Sequence, residues 1–194
     1  MIKAKTLIND KTIALVMAAG SSRRFGADKR LARLSNGETL LAQTVSNIVE
    51  AGLEYKIAIP VEDKVLFAQF YSEEALILIN NAQRGIGASI AEAVSSIRNS
   101  HRYCLICLAD MPYVLPETYK TIATAIAHYD AVIPTFEGKK GNPVAISNTL
   151  FEAFSQLDGD TGGRNILKAS DVNRLTLEVN DPGILMDIDR VSDL

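Results

Sequence analysis

The chain has 194 residues, of which 47% are hydrophobic and 22% charged, with a formal net charge of −3. That length supports a cored domain without covalent staples, and the balance of apolar and charged residues excludes a disordered chain. No lysine or arginine run forms the basic stripe that nucleic acid requires, and nothing reads as a membrane span, so neither is an expected partner.

The N-terminal apolar stretch is short, follows an acidic residue and runs into a glycine-containing motif, which predicts a first strand over 12–18 rather than a signal peptide. Further apolar, β-branched runs predict strands over 55–61, 75–80, 103–109 and 131–134. Between them, helical spacing marks 38–51, 62–71, 89–97 and 116–129, with Pro116 suited to a first turn. Such alternation predicts a mostly parallel sheet covered on both faces.

From Thr135 the rhythm changes, and the turn-rich 137–143 before Val144 predicts a small antiparallel excursion. Helical stretches over 150–157 and 163–168, a strand over 174–179 and a last short strand over 184–188 come next, all within one domain spanning 1–194. Cys104 and Cys107 are three apart in a buried-strand pattern, so they point to opposite faces and read as reduced core residues of a cytoplasmic protein. His101 and His128 have no ligand spacing with each other or with the cysteines, and no Ser-His-Asp arrangement is evident.

Ligands of open α/β sheets sit at the carboxyl ends of the strands. Three unusual segments fall there: 20–29, 85–89 and 110–112. The first is a glycine-containing cationic loop whose backbone can approach an anion, while Arg24 and Lys29 neutralise phosphate charge. It matches neither G-x-x-x-x-G-K-S/T nor G-x-G-x-x-G, and the alternative is a solvated basic turn.

Ala18-Ala19 followed by G-x-S-x-R-x-G-x-x-K from Gly20 to Lys29, with Ser22, Arg24 and Gly26 at its fixed positions, resembles the signature loop of nucleotidyltransferases. The resemblance continues through Gly85-Ile86-Gly87-Ala88-Ser89, Leu108-Ala109-Asp110-Met111-Pro112, Gly141-Asn142-Pro143-Val144, Gly159-Asp160-Thr161-Gly162-Gly163-Arg164 and Asp187-Ile188-Asp189. In this order the motifs are similar to those of the molybdenum cofactor cytidylyltransferases, a branch of the MobA-like NTP transferases. The resemblance implies a three-layer α/β/α, Rossmann-like nucleotidyltransferase fold of GT-A type. It further implies CTP under the first loop, Mg2+ on Asp110, a molybdopterin-type phosphorylated acceptor and an apo-molybdoenzyme to receive the product.

The residues themselves leave alternatives open. A carboxylate ending a buried strand is costly unless a cation meets it, so Asp110 suits a hard metal ion; the alternative is a cap for the helix near Leu115. Asp187 and Asp189, two apart in a predicted strand, project to one face and can share the metal site. The family's threonine after the metal aspartate is Arg190 here, which leaves Asp187 as a substitute for Asp189 or both as surface residues. Gly85, Gly87 and Ser89 open a helix that either offers free N–H groups to an anion or is ordinarily capped. Asn142 replaces a histidine common in relatives, and Arg164 either pairs with Asp160 or reaches the acceptor phosphate. Ala19, where guanylyl-transferring relatives have glycine, favours CTP over GTP. The rivals are a sugar or polyol phosphate acceptor, GTP as donor, and an inactive nucleotide-binding regulator.

Overall fold

The structure is a computed structural model and describes residues 11–20, 28–190 and 193. Its centre is strand β1 (Thr12–Met17), every residue of which is buried. A strand covered on both faces must be apolar throughout, and TIALVM is, apart from its first residue. β2 (Glu54–Pro60) pairs with it in parallel on one side and β4 (Tyr103–Leu108) on the other, while β3 (Leu76–Ile79) pairs with β2.

Beyond β4 lies the excursion that the turn-rich 137–143 predicts. β5 (Ala131–Phe136) turns into β6 (Lys139–Lys140) and then β7 (Val144–Ser147), and β7 is inserted antiparallel between β4 and β5. Thr135 faces Lys140 and Val132 faces Ala145, so three steps along β5 correspond to five along its partner. The surplus residues of 141–143 form a bulge, which turns the chain toward the neighbouring segment: Asn142 N–H donates to the Ile184 carbonyl at 3.0 Å. β8 (Arg174–Glu178) pairs with β5 in parallel, and its alternating burial suits a sheet edge.

The period of two assigns each strand residue to a layer. On one face Ala14, Val16, Ile57, Leu105 and Cys107 meet α1 (Leu40–Glu50), Phe67 of α2 (Lys64–Phe67) and α4 (Pro116–Ala125). On the other, Ile13, Leu15, Cys104 and Ile106 meet α3 (Ile86–Ile97), α5 (Phe151–Ser155) and α6 (Arg164–Leu167). The result is the expected three-layer α/β/α arrangement. Cys104 and Cys107 lie in opposite layers, both free, and burial pushes both thiols far above their ordinary range.

α1 shows how sequence sets an element's limits. Thr39 is its N-cap, accepting from Ala42 N–H at 3.1 Å; Leu41, Val45 and Ile48 form the inward stripe; and Gly52, at φ 79°, comes just after the last turn.

Three expectations are corrected. The helix over 62–71 is a 3-10 turn, Val61–Asp63, followed by the single-turn α2, because only Phe67 of that stretch is fully buried and Phe70 stands 62% exposed. The helix over 89–97 begins earlier, at Ile86. The strand over 184–188 does not form: Pro182 cannot donate to a ladder, Pro182–Leu185 is a 3-10 turn, and no strand pairs with 186–188.

These packing assignments have a stability consequence. Phe154→Ala, which empties a fully buried ring site on α5, is expected to cost about 3–5 kcal/mol in urea unfolding, whereas Phe70→Ala is expected to stay within about 0.5 kcal/mol. Equal losses would contradict the exposed turn at 68–71.

Candidate active site

β1, β2 and β4 all end on the same edge of the sheet, and the segments leaving these strands build the site. Asp110 stands two residues beyond β4, its side chain 30% exposed. α1 fixes that turn from below: Thr44 Oγ1 donates to the Ala109 carbonyl at 3.3 Å, and Asn47 Nδ2 donates to the carbonyls of Pro112 and Val114 at 2.9 Å each.

The C-terminal segment arrives through its backbone. Ile188 N–H donates to the Asp110 carbonyl at 3.0 Å, and the Ile188 side chain is buried with Leu34 and Leu40. Asp193 accepts from the N–H groups of Asp189 and Arg190. This fixes Asp189 beside Asp110 and leaves Asp187 exposed, with no ion pair among the described residues. Since 184–188 is not a strand, Asp187 and Asp189 do not project to one strand face as expected; the anchored Ile188 separates them.

Between Asp110 and Asp189 lies the ammonium of Lys29. Its Nζ is 2.8 Å from Asp110 Oδ2 and 3.1 Å from Asp189 Oδ1, and the side chain is only 12% exposed. Burial opposes its charge, but the hydrogen bonds and charges of Asp110 and Asp189 outweigh that and hold Lys29 above the ordinary lysine value of 10.5. A solvated loop lysine is therefore not what the structure contains. The two carboxylates converge closely enough to share one cation. Both offer hard oxygens, and no cluster of three His, Cys, Asp or Glu exists among the described residues. Such a donor pair fits Mg2+ or Mn2+.

A cleft of about 640 Å³ is lined by Ala19, Gly20, Asp28, Arg30, Gly85 and Asp160 among others, so that the two chain neighbours of Lys29 stand in its wall. Ala18 lies beneath it, buried, with N–H donated to Ala58 and its carbonyl accepting from Arg30. Arg24, Ser22 and Gly26 lie outside the described residues.

The glycine motif serves packing first. Gly87 N–H donates to the Gly159 carbonyl at 2.8 Å, so it is not offered to an anion. A Cβ on Gly87 would sit 2.6 Å from the Thr161 carbonyl oxygen, and one on Gly85, at φ 112°, would strike Asp160 and Gly159. Ser89 lines the cleft, buried, its hydroxyl donating to the Gly85 carbonyl at 3.2 Å. Asp160 and Arg164 are both exposed and make no ion pair with each other; Arg84 pairs with Asp158 instead. Asn142 rests against the Pro182–Leu185 turn and does not line the cleft.

Two residues escaped the sequence reading. Arg30 donates through Nε and a terminal nitrogen to both oxygens of Asp28 at 2.8 and 2.6 Å, pairs with Asp63 at 2.7 Å, donates to Ala18 and stacks 4.6 Å from the Phe67 ring centroid. It joins the exits of β1 and β2 into the cleft wall. Asp181, buried, accepts from Leu115 N–H at 2.9 Å, Thr118 Oγ1 at 2.6 Å and Gly183 N–H at 2.8 Å, which ties the C-terminal segment to the start of α4. Leu115 and Thr118 lie more than 60 residues away, so local sequence gives no sign of this role. Asp110 therefore does not cap α4: the carboxylate that meets the start of this helix is Asp181, at the Leu115 N–H and the Thr118 hydroxyl, and α4 has no side-chain capping bond to its first N–H groups.

An acidic pair beside a cleft at the carboxyl edge of a Rossmann-like sheet defines the class: a nucleotide-handling transferase fold. The chain belongs to the family of the MobA-like NTP transferase domain, which matches residues 14–175. It is 26% identical over 188 residues to the purine catabolism protein PucB of Bacillus subtilis (strain 168), covering 91% of each chain. It is also 26% identical over 137 residues to a probable molybdenum cofactor guanylyltransferase of Natranaerobius thermophilus, covering 68% of this chain and 63% of that one. In fold it is similar to Rv0371c of Mycobacterium tuberculosis H37Rv, with a TM-score of 0.79 at 21% identity over 94% of this chain and 95% of that one; that protein has also been crystallised in complex with manganese. Among the described residues no helix is long and apolar enough to cross a membrane.

The Arg30 cluster carries a pH signature. Burial works to raise the Asp28 carboxyl, but its hydrogen bonds and charge interaction with Arg30 prevail and hold it below the ordinary value of 3.8. A carboxylate depressed on folding contributes stability that is complete above the unfolded value and lost as pH falls through the lower folded one. Asp28→Asn is therefore expected to melt below the wild type at pH 7, with the gap closing as pH falls below 3.8. A gap that persists unchanged into acid would assign the loss to shape rather than charge.

Proposed function

We propose that this nucleotidyltransferase transfers CMP from CTP to the terminal phosphate of a molybdopterin-type acceptor and releases pyrophosphate. The observation that carries the catalytic reading is the convergence of Asp110 and Asp189 on a single cation, Lys29, whose chain neighbours Asp28 and Arg30 line the cleft. A divalent ion held there by Asp110 and Asp189 would offset charge on nucleotide phosphate oxygens. Lys29, at the start of the turn that leaves the first loop, supplies positive charge to the triphosphate, and Arg24 adds to it from within that loop. The acceptor phosphate is already an anion, so its oxygen attacks the α-phosphorus without a general base while the bond to pyrophosphate breaks. Gly85, Ser89 and Asp160 line the nucleotide cleft, and Gly87 packs against the backbone of 158–161 beside them; for Asn142 and Arg164, which do not line it, the role in this reading is contact with the acceptor. The product would pass to an apo-molybdoenzyme in the cytoplasm.

The acceptor and the base rest on different supports. Similarity to a probable molybdenum cofactor guanylyltransferase favours a molybdopterin acceptor and raises GTP as the second donor. The support for CTP is Ala19, whose methyl is buried in the cleft wall where glycine would leave space for a purine.

Two outcomes are expected. Asp110→Asn removes the charge and keeps the shape, so the protein should fold and lose pyrophosphate release; wild-type turnover at limiting Mg2+ would refute the role. In kcat/KM measurements CTP should exceed GTP, and Ala19→Gly should narrow the ratio within the roughly 10–200-fold range that pocket differences of one methyl supply. A wild-type preference for GTP would overturn the cytidylyl assignment.

A further inference from the structure

The proposed chemistry places a divalent ion where the structure holds an ammonium. Lys29 Nζ, at 2.8 Å from Asp110 and 3.1 Å from Asp189, takes up the attraction of both carboxylates. The backbones that carry the two acids are tied together: Thr44 of α1 holds the Ala109 carbonyl just before Asp110, and the Ile188 N–H just before Asp189 donates to the Asp110 carbonyl. A dication entering between them while Lys29 remains would meet the repulsion of its ammonium in the same small site.

Lys29 has somewhere to go. It begins the 3-10 turn Lys29–Leu31, and its chain neighbours Asp28 and Arg30 both line the cleft. Arg30 is committed to Asp28, Asp63 and the Ala18 carbonyl, so that guanidinium holds the turn in place rather than answering a ligand. Lys29 differs from it in kind: an ammonium on a flexible four-carbon stem can exchange carboxylate partners for phosphate oxygens without moving the backbone.

We propose that Lys29 is a resident counter-ion that keeps divalent metal out of the Asp110–Asp189 site until a nucleotide triphosphate draws its ammonium away, so that metal and nucleotide enter together. The inference rests on the functional reading above, in which Asp110 and Asp189 are the metal ligands. It makes metal binding conditional on substrate and keeps the acids neutralised between turnovers. The coupling is reciprocal, since whatever factor nucleotide adds to metal affinity metal must add to nucleotide affinity.

The test is Mn2+ binding followed by electron paramagnetic resonance of the free ion, with no turnover, in the presence and absence of α,β-methylene CTP or its guanosine counterpart. Wild type is expected to bind Mn2+ weakly alone and within about 5–150-fold more tightly with nucleotide, the usual size of a coupling between sites. Lys29→Met should bind Mn2+ more tightly than wild type without nucleotide and lose most of the coupling. Lys29→Gln, which keeps a hydrogen-bond donor, serves as the second neutral variant should the first misfold, and Lys29→Arg should remain weak. If the neutral variants keep wild-type affinity while Asp110→Asn abolishes binding, the counter-ion role fails and the metal site stands. If Asp110→Asn changes Mn2+ affinity in neither background, the site reading fails and takes the inference with it.

Discussion

Two carboxylates that approach one another at the end of a buried sheet repel unless a cation sits between them, and the loops around this site are organised by that requirement. Asp110 and Asp189 come from positions far apart in the chain, yet both reach Lys29 Nζ within 3.1 Å. The cation lowers the cost of bringing the acids together, and the acids in turn keep a largely buried lysine charged. The same electrostatic demand that stabilises the arrangement prepares it for a metal ion. A stable fold and a reactive site here draw on one attraction.

Around that centre the support is hydrogen bonding from side chains placed at a distance. Thr44 and Asn47 of α1 hold the turn after β4, and Asp181 joins the C-terminal segment to the start of α4. Arg30 performs the corresponding task on the nucleotide side, where its pairing with Asp28 and Asp63 and its stacking on Phe67 bind the exits of two strands. A guanidinium suits this place because its planar fork satisfies several acceptors at once, which an ammonium of the same charge does with less definition. The division of labour between Arg30, held in place, and Lys29, able to exchange partners, arises from that difference.

The glycines gain a different meaning from the fold than from the motif. A G-x-G-x-S at a helix start suggests free N–H groups, but Gly87 gives its N–H to Gly159, and both glycines leave room for the backbone of 158–161. Two motifs that look independent along the chain are thus the two sides of one joint at the cleft rim. Asp160 owes its place there to that joint, not to a pairing with Arg164.

The sequence by itself determined the layers. A strand buried on both faces must be apolar along its length, so β1 and β4 were legible, as was the opposition of Cys104 and Cys107, which only requires a period of two. The order of the motifs made the family legible, because glycines, Asp110 and the first loop fall at strand ends where ligands of such sheets bind. What tertiary structure decided was which side chains meet. The motif points to Asp189, but Arg190 in place of the family's threonine leaves Asp187 open; the burial of Ile188 against Leu34 and Leu40 separates them, by fixing which neighbour turns toward Asp110. Arg30 reads as one more basic loop residue until Asp63 and Phe67, more than 30 positions on, close around it. Local sequence sets periodicity and turn chemistry, whereas the pairing of charges depends on distances that exist only after the strands have been laid side by side.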